Sequence, residues 1–293
     1  MTTVPADDRV RTTAEGARRR WKRPVLILAT EFVVLAIPFN AAYGYAMQVV
    51  YRVGPAVGFL FALLLGALLC NAYWLWGRFV ARRDTGELSL RKAGGLAYGV
   101  LLGAMLMCAA IAVISLGGDV KLSAGSGPAL AGLPGVAVLA GFAEELIARG
   151  VVLRNLENVF GSAVALVLTA MLFGALHLGN PHATWLSTTA VGVEGGVMLA
   201  AVYMATRSLW WTIGVHFAWN FTQTSIFGIA DSGHPGGGFL QSEIAGPDWL
   251  TGGAFGVETS LVSVLLCAVV AAYFLMRAHR AHRFVAPIWS SHR

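Results

Sequence analysis

Apolar residues recur along this chain in runs of about 20, at roughly 25–47, 55–80, 94–116, 133–154, 161–179, 186–206, 209–229 and 257–277, with short polar breaks between them. A helix of about 20 apolar residues crosses the hydrocarbon core of a bilayer. The pattern therefore predicts an all-α polytopic membrane protein with about eight transmembrane helices. Several breaks carry turn chemistry: Gly54-Pro55, Asp84 to Gly86, Gly125 to Pro134, and Gly179-Asn180-Pro181. The gap 230–256 is the longest loop, and no internal repeat of 20 to 50 residues stands out.

Composition agrees with this reading. Of 293 residues 57% are hydrophobic and 12% charged, and the mean hydropathy is +0.67. That charge content is about half of what a soluble domain carries, which argues against a soluble enzyme. The net charge of +6 raises nucleic-acid binding as a possibility, but topology accounts for it. With the N-terminus in the cytoplasm, the inner side collects seven basic residues before residue 24, five at 78–92, Arg154, Arg207 and four from Arg277 onward. The outer side receives Arg52 and Lys121, and loop 230–256 has acids but no Lys or Arg. The excess reports orientation, with both termini cytoplasmic and no nucleic-acid partner.

The expected organisation is a disordered basic cytoplasmic tail at 1–24, a transmembrane domain at 25–277 and a cytoplasmic tail at 278–293, in a multi-pass protein of a bacterial plasma membrane. A cleaved signal peptide is disfavoured, because the charged flank is long and Glu31 interrupts the first apolar run. Cys70, Cys108 and Cys267 lie inside apolar runs and form neither a disulfide framework nor zinc-ligand spacing.

Ionisable residues inside a span are costly unless paired or facing a wet cavity, so each is a functional candidate. The fourth run places Glu144, Glu145 and Arg149 within six residues. On a helix Glu145 and Arg149 stand at i and i+4 and can pair, whereas Glu144 points about 100° away. Arg149 would hold Glu145 ionised and leave Glu144 as the candidate base. The fifth run ends Phe173-Gly-Ala-Leu-His177, and the seventh contains His216 and Asn220 one turn apart. Convergence of these side chains into one site is the expectation. Glu31 and Glu194 read as isolated, Glu194 as a cavity-facing carboxylate among glycines, His182 as a solvated loop residue, and Trp210, Trp211 and Trp219 as an interfacial belt.

The succession Glu144-Glu145…Arg149, Phe173…His177 and His216…Asn220 resembles the CPBP intramembrane proteases, the family of type II CAAX prenyl endopeptidases and bacteriocin-processing or immunity proteins. The resemblance covers a core at about 133–228 and extends to the run Arg207 to Phe221. It implies an endopeptidase that hydrolyses CAAX-type prenylated or other membrane-associated peptides. Glu144 and His177 would activate a water, and His216 with Asn220 would stabilise the oxyanion. Glu145, Arg149 and Phe173 would support them. Such chemistry suits an amide, which needs a base for the water and donors for the developing charge. The resemblance also admits a metalloprotease with His177, His216 and Glu144 around a zinc ion. Asn220, a poor zinc ligand but a good oxyanion donor, favours the version that requires no cofactor.

The chamber is expected to open toward the cytoplasm and to draw substrate from the bilayer. The alternatives are a non-catalytic membrane scaffold or bacteriocin immunity protein, and, with less support, an ion-coupled transporter. Counted from the inner helix ends, His177 lies about twice as far across the membrane as His216, an offset that a shared site must bridge.

Overall fold

The computed structural model describes residues 24–125 and 133–290; the tail expected at 1–24 lies almost entirely outside the described residues. Eight helices follow the eight apolar runs: α1 (Pro24–Arg52), α2 (Pro55–Val80), α3 (Gly94–Gly117), α4 (133–160), α5 (Ser162–Gly179), α6 (Trp185–Thr206), α7 (209–226) and α8 (Leu261–Arg280). Six of them are long and apolar enough to cross a membrane. The other two, α4 and α7, have comparable length but carry Glu144, Glu145, Arg149, His216 and Asn220. Their polar residues lower the apolar signal on which the expectation of eight was built.

Helix ends follow their sequences. Pro55 opens α2 with its ring-fixed φ, and α4 and α5 are separated by Gly161 alone, at φ 78. Arg207, between α6 and α7, adopts the left-handed region at φ 49 without being glycine. Its side chain holds the strained joint, donating to Glu157 at 2.5 and 3.0 Å and to the Arg283 carbonyl at 2.6 Å.

The bundle is close-packed where small residues allow it. On α3, Gly95, Gly99 and Gly103 repeat every fourth residue against Trp211, Gly214 and Val215 of α7, the most extensive helix pairing in the fold. A Cβ on Gly99 would lie 3.1 Å from the Gly214 Cα, so these backbones meet only because both are glycines. α6 is enclosed by its neighbours. α2, α5 and α8 turn large apolar side chains outward, such as Leu60, Leu64, Leu68, Val167, Met171 and Val269. That surface belongs in lipid.

Two short strands were not foreseen. β1 (Asp119–Ala124), after α3, pairs antiparallel with β2 (Leu240–Ala245), in the loop after α7, with Asp119 opposite Ala245 and Ala124 opposite Leu240. Both loops belong to the end of the bundle poor in basic residues, so the ribbon ties that end together. At the other end, the segment after α8 folds back onto the α4–α5 joint, where the Ser162 N–H donates to the Val285 carbonyl and the Ile288 N–H to Val159.

Candidate active site

A cavity of about 410 Å³ lies among α1, α4, α5, α6 and α7, covered in part by the loop after α7. It receives Glu144, His177, His216 and Asn220 together, so the convergence expected from their spacing is present. Four of the helices around it contain wide, π-type turns: Phe32–Ala36 in α1, Leu146–Leu153 in α4, Gly192–Met198 in α6 and Thr222–Ile226 in α7. Such turns recur at functional sites because they redirect side chains without ending the helix.

The two adjacent glutamates part company as their helical positions require. Glu145 is fully buried and accepts from Arg149 Nη1 at 2.7 Å. It also accepts from His216 Nδ1 at 2.9 Å, a partner the sequence reading did not assign to it. Arg149 is itself fully buried and donates to the Gly195 carbonyl and, at 3.3 Å, to that of Gly196. Glu144 keeps 22% of its side chain exposed, on the chamber side, with its Oε2 3.9 Å from His216 Nε2. That gap is longer than a direct hydrogen bond and suits a bridging water. Tyr43 of α1 also reaches Glu144.

Hydrogen bonding fixes both rings. His177 Nδ1 lies 2.8 Å from the Phe173 carbonyl one turn earlier. A carbonyl can only accept, so Nδ1 carries the proton and Nε2 of the neutral ring presents a lone pair. His216 Nδ1 faces the Glu145 carboxylate and carries a proton for the same reason. Phe173 stands between the two histidines: its ring is 5.1 Å from that of His177, 6.3 Å from that of His216 and 5.0 Å from the Arg149 guanidinium. Both histidines thus flank one aromatic ring in the chamber wall.

Several residues join the chamber without having been singled out as its members. The loop after α7 contributes Asp231, Ser232 and His234, and Glu258 precedes α8. Asp231 and His234 exchange backbone hydrogen bonds of 2.9 Å, and the Ser232 N–H donates to Glu258 at 2.6 Å. Burial away from water raises the Asp231 carboxyl to about 6 and pushes Glu258 up as well. Glu194 also faces the cavity, as its glycine-rich surroundings suggested.

Other expectations need correction. Glu31 is not isolated: it lies at the opposite end of the bundle, receives bonds from Arg154 and from Asn155 at 2.7 Å, and has Arg83 at 3.6 Å. Trp219 is not part of an interfacial belt but is buried in the chamber wall, because hydropathy cannot tell which helix face meets lipid. His182 is exposed, as expected of a loop residue. Among the described residues no three His, Cys, Asp or Glu side chains are grouped to hold a metal ion. The chamber is lined from the later half of α1, the end of α5, the middle of α4, α6 and α7, and the loop after α7, which places it toward the end where the β ribbon lies.

Residues 126–222 match the family described as type II CAAX prenyl endopeptidase Rce1-like. The match takes in all three motifs. No curated protein and no solved structure matches the chain.

Proposed function

Since this chain belongs to the CPBP intramembrane proteases by its Rce1-like domain, we propose that it is an endopeptidase in which Glu144 is the general base toward a water held in the chamber. Glu144 is the carboxylate of the pair that remains free: Arg149 and His216 occupy Glu145, while Glu144 faces the cavity. His177 Nε2 accepts from the same water and orients it. As Glu144 takes the proton, the hydroxide attacks the scissile carbonyl carbon, and the carbonyl oxygen becomes anionic. Glu144 then returns the proton to the departing amine.

The oxyanion needs donors, and Asn220 offers an amide N–H. His216 can donate from Nε2 only as the doubly protonated ring, since Nδ1 already donates to Glu145. An imidazolium between Glu145 and Glu144 is charge-compensated, so the adjacent carboxylates make this form available in an apolar surrounding. Glu145 and Arg149 thus act as positioning residues, the first orienting His216 and the second holding Glu145.

The observation that carries this reading is the division between a locked Glu145 and a chamber-facing Glu144. Its test is the Glu144→Gln variant, reconstituted and assayed on a peptide substrate. Turnover should fall at least ~10³-fold, within the usual range for removal of a general base, with unchanged membrane insertion and melting temperature. Retained turnover would reassign the base.

A further inference from the structure

A loop outside the family core reaches into the chamber and is held there. Asp231 belongs to the segment after α7 and Glu258 to the turn before α8, both beyond the residues 126–222 that match the family. Gln223, fully buried on the wide turn that ends α7, donates from Nε2 to the Ala230 carbonyl at 2.5 Å and to one oxygen of Glu258. The other Glu258 oxygen accepts from the Ser232 N–H. Both chain neighbours of Asp231 are therefore pinned, Ala230 by Gln223 and Ser232 by Glu258. The same loop bonds back to α7, where the Ile229 N–H donates to the Gln223 carbonyl at 3.0 Å and the Phe239 N–H to that of Ser225 at 2.9 Å. The contact is so close that a Cβ on Gly256 would lie 2.5 Å from the Ala230 carbonyl oxygen.

The latch puts the Asp231 carboxyl among the groups already assigned to the reaction. It stands within electrostatic reach of Glu144 on α4, His177 on α5 and His216 on α7. Glu194 on α6, Tyr43 and Tyr51 on α1 and Glu258 sense it as well, and His234 lies across the loop from it. No Lys or Arg lines the chamber among its described residues. Withdrawn from water without such a partner, the carboxyl is pushed up to about 6 even though both histidines pull it down. A carboxyl that keeps its proton is a hydrogen-bond donor. Negative charge growing on a carbonyl oxygen nearby would be stabilised by that donor and opposed by the ionised form.

We propose that Asp231 is a further catalytic residue, its carboxyl O–H donating to the scissile carbonyl oxygen beside Asn220 and His216, with Gln223 and Glu258 as the positioning residues that hold it there. This rests on the protease reading and adds to the oxyanion site a donor from outside the matched domain.

The test uses the purified full chain in nanodiscs and a fluorogenic peptide, followed as a function of pH. Asp231→Ala should lower kcat about 10²-fold, the loss usual for one oxyanion donor, with KM close to the parent's. Asp231→Asn keeps a neutral donor in the same place and should turn over much as the parent does at acidic pH. As the pH rises through about 6 the parent carboxyl ionises and turnover should decline, whereas the Asn variant should lack that decline and overtake the parent near pH 8. Undiminished kcat in Asp231→Ala overturns the proposal. So does an inactive but folded Asp231→Asn, since the charge would then be what the reaction needs. Gln223→Leu should lower kcat in the same manner and add little to Asp231→Ala in the double variant; independent, additive losses would sink the latch. Should Gln223→Leu melt at a much lower temperature than the parent, the two Asp231 variants decide alone. Cleavage that persists in Glu144→Gln strikes the protease reading itself, a result distinct from any of these.

Discussion

The chain buries carboxylates at both ends of its bundle and treats them in opposite ways. At the basic end Glu31, Glu87 and Glu157 each face one or more guanidinium groups, from Arg83, Arg154 and Arg207. At the chamber end Glu144, Glu194, Asp231 and Glu258 share a cavity whose wall supplies only histidines, with Arg149 set behind it. Matched charge makes a fixed clamp. Under-compensated charge makes groups that gain or pass protons, which is what hydrolysis of an amide requires.

The contrast can be broken from the basic end first. Arg207→Leu strands the buried Glu157 and leaves a branched side chain in the left-handed joint. The expected cost is about 3 kcal/mol of stability, the lower range for breaking a buried pair, because Arg207 is partly exposed. Thermal unfolding in detergent should show the loss, while turnover per folded molecule stays near the parent value. A comparable loss of turnover would mean that the clamp and the chamber are one unit.

At the chamber end, removal of a charge should have the opposite sign. The folded state holds a proton on Asp231 up to about pH 6, whereas an unfolded chain releases it near 3.8. Between those values the folded protein binds more protons, so stability falls as pH rises through this window and the cost persists above it. Asp231→Asn should therefore raise the melting temperature at pH 7.5, with the gain shrinking to nothing as the pH is taken below 4. A variant that is less stable at pH 7.5 would show that the ionised group has a partner worth more than its burial costs.

The smallest expected effect belongs to Phe173, which touches both histidines and the guanidinium. Phe173→Leu keeps the volume roughly but loses the aromatic face, worth about 0.5–2 kcal/mol toward a cation. Turnover should drop more than stability, since the ring packs against both His177 and His216. Kinetics and unfolding measured on one preparation separate the two.

Much of this was legible in the sequence for identifiable reasons. The helices showed because lipid demands long apolar runs, and Glu144, Glu145, Arg149, His177, His216 and Asn220 showed because they interrupt such runs. Asp231 and Tyr43 carried no such mark: an aspartate in a glycine-rich loop and a tyrosine in an apolar helix are ordinary in composition. The β ribbon joins segments more than a hundred residues apart and only six long, too short for alternation to announce it. The reach of Glu145 to His216 depends on the placement of α4 against α7, which no spacing within either helix encodes.

The wide turn at Gly192–Met198 holds Glu194 within an otherwise regular helix. A π-type turn contains one residue more than the α-helical path needs. Deleting a single residue there would let α6 relax into an unbroken spiral with its two flanks still nearly in register, and would remove the bulge on which Glu194 faces the chamber. Kin of this protein should therefore vary in length between their helices, yet keep the same residue count across this stretch.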